Sequence, residues 1–325
     1  MLHPDVGYTN GVIAAREKYL LKDKLLRLCE LNAQDAFRAL VESGFGGGAE
    51  TATEVHEYEK LVAEEERRLD EFIDTYAPTA AERAYLLAPR DFHNAKAIVK
   101  AAYLQTDAER MLAPQGEIEI GLILSAVESR NVEALRPYNP ILASAIEKAL
   151  AFEETPSGLE IGVIFEKATY AYLFERAKKN KILKNLLQAK ADMTNILTAL
   201  RSADKDEAER SYVFEGSLKK ATLETLFLED REKIEFSFAA TPYVSFLKKC
   251  LDAKSQGLPL TEGERIRDSY DTAYFEKRKY ELEKTEPFLY YVYRRKAENA
   301  NVRIIFVCLL AGMTEAEVKK RLRNL

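Results

Sequence analysis

Three histidines, three cysteines and two runs of like charge are the residues of this sequence whose types could do chemistry. His3, His56 and His93 stand 53 and 37 residues apart. None has the HExxH or paired spacing that would bring two imidazoles to one metal, although Asp91 lies two positions from His93, so they read as surface or capping side chains. Cys29, Cys250 and Cys308 are far apart, odd in number and without CxxC spacing. That pattern fits reduced structural thiols and implies neither a disulfide nor a zinc framework. The segment Ser43-Gly44-Phe45-Gly46-Gly47-Gly48 is followed by no Lys-Ser or Lys-Thr and preceded by no strand, so it reads as a helix terminator and not as a phosphate cradle.

The carboxylates Glu64, Glu65 and Glu66 could supply acid–base groups, but catalytic carboxylates need burial or mutual proximity. Successive residues on one helix point in different directions, and Arg67 and Arg68 follow directly, so the cluster reads as a solvated face. Lys178, Lys179, Lys181 and Lys184 form a basic patch, a solvated turn in the plain reading and a docking surface in the functional one. Phe288, Tyr290, Tyr291 and Tyr293 follow Pro287 at mixed spacing and read as core. The segment from Arg294 to Ile305 places Arg294, Arg295, Lys296, Glu298, Asn301 and Arg303 inside an otherwise apolar helix. Glu298 and Arg303 are five apart and do not face each other, so each is expected to find partners on other elements, where a partly buried ion pair would fix helix register more than it stabilises. Nowhere do a nucleophile, a base and an oxyanion donor assemble, nor a metal or cofactor site, so no catalytic, cofactor-binding or metal-ligating residue is assigned.

The elements that position these residues are helices. Glycine (14) and proline (10) are scarce in 325 residues, below the usual roughly 7% and 5%, so little breaks a helix. A 47% hydrophobic and 31% charged composition gives an apolar core and a wetted exterior, enough for two or three domains. Apolar residues recur at helical steps over 10–41, where Ile13, Leu20, Leu21, Leu25, Leu28, Phe37 and Leu40 form the set. They recur again over 54–76, where Val55 to Tyr76 make one stripe of a long amphipathic helix. Thr79 with Glu82, Thr261 with Glu264 and Thr314 with Glu317 have capping-box spacing, and Gly312 can end the helix before the last of these. The best strand candidate, 117–125, alternates only briefly. The fold class is therefore all-α.

The net charge of −5 gives no footprint for nucleic acid or an anionic membrane. The N-terminal segment lacks the basic and apolar regions of a secretory signal. The longest apolar run, 304–313, is about half of the roughly 20 residues that span a bilayer.

A weak internal register accompanies the helices. Tyr58-Glu59-Lys60, Phe165-Glu166-Lys167 and Phe275-Glu276-Lys277 are each followed by an asparagine, Asn94, Asn195 and Asn301, and the asparagines lie 101 and 106 residues apart. Repeats of about 100 residues suit a three-fold architecture and are too long for a solenoid of 30- to 50-residue units.

Two segments resemble a known family. Lys296 to Arg323, KAENANVRIIFVCLLAGMTEAEVKKRLR, is similar to the C-terminal signature of the central-stalk C subunit of V-type and A-type rotary ATPases, called d in the eukaryotic vacuolar enzyme. Asp91-Phe92-His93-Asn94-Ala95-Lys96 resembles its Asp-aromatic-His-Asn-x-Lys segment, and Tyr8, Asn10, Glu17, Lys18, Leu20 and Leu21 follow its opening helix more loosely, with Val12 and Ala14 where the family often has arginines.

The resemblance implies a funnel of three similar helical bundles with pseudo-three-fold symmetry, here over residues 1–104, 105–208 and 209–325. It implies a subunit without an active site, placed on the cytoplasmic side of the membrane as a peripheral part of the complex. Such a subunit connects the rotor shaft subunits, of D and F type, to the proteolipid ring, and so couples ATP hydrolysis or synthesis to proton or sodium transport. Membrane contact would come only through the ring, with no nucleic acid and no cofactor. Asn94, Asn195, Glu298, Asn301 and Arg303 would be structural, the asparagines holding equivalent places in the three bundles. The alternative, a helical-repeat scaffold for soluble partners, would show the same amphipathic helices.

Overall fold

The computed structural model describes residues 4–21, 23–213, 216–281 and 283–323, and the backbone alone of Tyr19 and Asp23; His3 lies outside them. The described residues form helices and turns with no strand, the all-α class expected. The helices fall into two compact units, residues 1–79 with 271–325, and residues 80–270.

In the first unit α1 (Val6–Arg16), α2 (Asp23–Leu28), α3 (Ala33–Glu42) and α4 (Tyr58–Tyr76) come from the start of the chain. The second unit holds α5 (Ala80–Leu104), α6 (Ile120–Glu128), α7 (Pro140–Leu150), α8 (Gly158–Arg176), α9 (Lys181–Arg201), α10 (Lys205–Ser211), α11 (Lys220–Glu224), α12 (Arg231–Phe238) and α13 (Val244–Ser255). α14 (Thr261–Glu276) passes the boundary between the units, and α15 (Glu286–Leu310) and α16 (Glu315–Lys319) return to the first.

The apolar residues read as helical over 10–41 build three α-helices, because the chain turns extended at Leu20, where Glu298 takes the Leu21 N–H, and Asn32 starts α3 afresh by capping it through its side-chain oxygen. Their buried faces, Leu25, Leu28, Phe37 and Leu40, close on Leu61 and Val62 of α4 and on Val302, Ile305 and Phe306 of α15. Phe306 stacks on Tyr58 with centroids 5.1 Å apart and meets Phe37 edge-on at 6.4 Å. Gly44, Gly46, Gly47 and Gly48 all have φ between +59° and +85°, so this segment ends α3 as expected and turns where side chains are disfavoured. A Cβ on Gly46 would stand 2.2 Å from the Leu61 carbonyl oxygen, so the turn lies directly against the backbone of α4.

In the second unit α5 packs on α6, α7 and α8. The apolar face of α9, with Met193, Ile196, Leu197 and Leu200, packs on Leu223, Leu226, Phe238, Phe246, Leu247 and Cys250 from α11 to α13 and the turns between them. The strand candidate 117–125 is mostly α6, its isoleucines and leucines serving a helix whose Ile123 is wholly buried. The unit boundaries at 79/80 and 270/271 differ from the expected divisions at 104/105 and 208/209, and they leave α5 at the head of the elements it packs against.

Of the three capping boxes, Thr314 with Glu317 forms as spaced. α14 begins at Thr261 itself, and Glu264 pairs with Arg201 at 2.6 Å. Glu82 accepts from the Asn180 amide at 2.7 Å.

Candidate functional site

α5, α9 and α15 each carry an acid followed three residues later by asparagine: Asp91 and Asn94, Asp192 and Asn195, Glu298 and Asn301. That step places the two side chains on one helix face. Each asparagine then pairs with one peptide further along the chain, accepting its N–H and donating to its carbonyl. Asn94 does so with Ala113 at 2.8 and 3.2 Å, Asn195 with Val213 at 2.8 and 2.6 Å, and Asn301 with Arg323 at 2.8 and 3.2 Å. All three asparagines are buried, where an amide is retained because both its polar atoms are satisfied.

The acid of each pair holds the segment before a short helix. Asp91 accepts from the N–H groups of Glu117 and Ile118 at 2.9 and 3.2 Å, ahead of α6. Asp192 accepts from the N–H groups of Ser217 and Leu218 at 3.0 and 2.9 Å, ahead of α11, and also from the Ser217 and Tyr243 hydroxyls at 2.5 and 2.8 Å. Glu298 accepts from Leu21 N–H at 2.9 Å, ahead of α2, across 277 positions of sequence. Gly116 and Gly216 make the first two contacts possible: a Cβ there would stand 2.3 and 2.2 Å from the Asp91 and Asp192 oxygens. Burial pushes the Asp91 carboxyl up to about 6 against the opposing pull of its two backbone donors. Burial and the Asp192 charge likewise raise the Tyr243 hydroxyl.

Around Glu298 lies a buried ionic group that the sequence reading missed. Arg295 donates to Glu298 at 2.8 Å and to Glu65 of α4, and all three residues are at least nine-tenths buried. Burial works to lower the Arg295 guanidinium, but the two carboxylates outweigh it and hold its pKa above the ordinary value. Glu65 also accepts from Gly46 N–H at 2.9 Å. The cluster Glu64 to Glu66 is therefore not a uniformly solvated face: Glu64 takes Arg67 and Arg68, Glu65 faces inward, and Glu66 pairs with Arg303. The inward position of Glu65 was marked only by its place between Leu61, Val62, Leu69 and Phe72 on the apolar stripe.

Arg303 binds Glu66 through two N–H groups at 2.7 and 3.0 Å and Glu59 at 3.0 Å. The side chains of Arg303, Glu66 and Glu59 are 38%, 28% and 52% exposed. Losing this partly wetted pair costs far less than losing a buried one, so Arg303→Ala is expected to destabilise by about 1 kcal/mol, read as a small shift in the urea midpoint.

The second candidate group lies elsewhere. Lys178 and Lys179 follow α8, Lys181 opens α9 and Lys184 sits in its first turn, all four exposed. Lysines at a helix N-terminus oppose its macrodipole, so this turn concentrates positive potential at a local cost. No group of three His, Cys, Asp or Glu among the described residues could hold a metal ion. His56 is exposed, His93 bonds the Met111 carbonyl at 2.9 Å, and Cys29, Cys250 and Cys308 are free and buried. No described helix is long and apolar enough to cross a membrane.

The three longest helices of this all-α chain thus carry the same acid–asparagine clamp, each closed on backbone further along. A family model, ATP synthase (C/AC39) subunit, matches residues 9–321. The chain belongs to that family, the C or d type subunit of V-type and A-type rotary ATPases. No curated protein sequence matches it.

Proposed function

We propose that this chain is the non-catalytic connector of the central stalk, seated on the cytoplasmic side of the membrane, which links the rotor shaft subunits of D and F type to the proteolipid ring. In this role it passes torque between the ATP-driven head and the ring and so couples hydrolysis or synthesis to proton or sodium flow. The observation that carries the reading is the match of residues 9–321 to one rotary-ATPase subunit family. Its physical support is stiffness. A torque link must deform little under load, and long close-packed helices are stiff elements. The acid–asparagine clamps add fixed joints where loops would otherwise give.

Three bundles over residues 1–104, 105–208 and 209–325, each containing one clamp-bearing helix, are part of the same proposal. Asn94, Asn195, Glu298, Asn301 and Arg303 are its internal joints. The exposed turn of Lys178, Lys179, Lys181 and Lys184 is its candidate docking patch for an acidic loop of a partner subunit.

The test is pull-down with a detergent-solubilised proteolipid ring and with the shaft subunits, together with an ATPase assay of the purified chain. Binding without turnover is expected, and replacing the four lysines by alanine should weaken binding most at low salt. Intrinsic ATP turnover, or indifference to both ring and shaft, would overturn the reading.

A further inference from the structure

In the first unit, a cavity of about 260 Å³ opens beside the buried ionic group, lined by Arg16, Glu65, Arg68, Phe72, Tyr291 and Arg295. Most of its charged groups are already engaged. Glu65 is held by Gly46 and Arg295, and Arg68 is shared between Glu64 at 2.9 Å and Glu65 at 3.6 Å.

Two groups are not engaged. The Arg16 guanidinium lies over the rings of Phe72 and Tyr76, 5.0 and 5.6 Å from their centroids, and it meets no carboxylate or other acceptor among the described residues. Two ring faces hold it in place while its N–H edge stays free, which is how a guanidinium is preorganised for an anion. The Tyr291 hydroxyl is the second. Tyr291 is 7% exposed and lines the cavity, yet its hydroxyl has no hydrogen-bond partner among the described residues. That hydroxyl is reached from the cavity, so its donor is available to a ligand there. Phe72 and Leu69 complete the wall with apolar surface.

We propose that this cavity is a binding site for a small tetrahedral oxyanion of the phosphate class, held by Arg16 and Tyr291 with Arg68 and Arg295 behind them. The donors come from three helices, α1, α4 and α15, and so approach from several sides, as a tetrahedral anion requires and a planar carboxylate does not. The volume is below the roughly 300 Å³ at which sites for larger organic ligands begin. It therefore takes a free ion or a single phosphate group, not a whole nucleotide. The site does not depend on the connector role.

Isothermal titration of the full chain with inorganic phosphate, at constant ionic strength set by chloride, tests this. Saturable binding is expected, weakened about tenfold or more by Arg16→Ala, which removes a charged donor, and several-fold by Tyr291→Phe, which keeps the ring and removes only the hydroxyl. Arg16 is partly exposed and Tyr291→Phe is conservative, and far-ultraviolet circular dichroism of each variant establishes that it is folded. ADP in a parallel titration separates the sources. Binding weaker than phosphate supports the free ion, whereas tighter binding with the same Arg16 dependence overturns the free ion in favour of a phosphate ester. No saturable binding of either ligand, or affinities that ignore both substitutions, overturns the site.

Discussion

Arg295→Ala is expected to destabilise the first unit by about 3–5 kcal/mol, the usual cost of removing one partner from a buried ion pair. The change leaves two buried carboxylates without the cation they share. Glu65 is 7% exposed and Glu298 wholly buried, and neither can turn away, because each also holds a backbone N–H, from Gly46 and Leu21 respectively. Replacing the whole group by apolar residues would not rescue the unit as it does in simpler ion pairs, since those two N–H donors would then lose their acceptors. Arg295→Lys should fall between, keeping the charge but losing the planar fork that reaches both carboxylates at once. The measurement is urea unfolding followed by circular dichroism, with the two units free to unfold in separate transitions. An unchanged midpoint for Arg295→Ala would show that the carboxylates are solvated after all.

In the second unit the largest effect should come from Asp192→Ala. Four donors converge on this carboxylate, two backbone N–H groups and the hydroxyls of Ser217 and Tyr243, and Asp192 is wholly buried. Hydrogen bonds to a charged acceptor are each worth about 1.5–3 kcal/mol. Because the Leu218 N–H would be left without a partner and the Tyr243 hydroxyl with Ser217 alone, the net loss is expected to be about 3–5 kcal/mol. Asp192→Asn should recover part of it, since the amide keeps one acceptor oxygen while its NH₂ faces donors. Hydrogen exchange at Ser217 and Leu218 gives a local readout: both amides should lose protection in the alanine variant before the helices do. Retained protection would mean that the loop is held by its packing alone.

Much of the helical content was legible because scarcity of glycine and proline and the 3.6-residue stripe act locally. The 54–76 stripe is α4 within a few residues. Where tertiary contacts override periodicity, legibility failed. The residues of 10–41 carry a nearly continuous helical pattern, but the extended Leu20, with its neighbour's N–H taken by Glu298, and the side-chain cap at Asn32 cut it into separate pieces. In 117–125, Asp91 fixes the N–H groups of Glu117 and Ile118, and the apolar run turns inward as α6.

The spacing of Asn94, Asn195 and Asn301 stood out in the sequence, but their bonds did not. Each partner, Ala113, Val213 or Arg323, is bound through its peptide group, so its residue type carries no signal. The aromatic-Glu-Lys triplets were read with the asparagine that follows each. In the first unit, however, Glu59 of the first triplet pairs with Arg303, two positions beyond Asn301, which lies at the other end of the chain. Linear order hides that pairing.

The bond between Glu298 and Leu21 has a consequence for how the molecule is made. Residues 1–79 leave the ribosome before the 80–270 unit, but their packing partner α15 is translated only after it. The middle of the polypeptide can therefore assemble during synthesis while the leading helices wait with Leu25, Leu40 and Leu61 uncovered, a window in which a holdase chaperone would find its client.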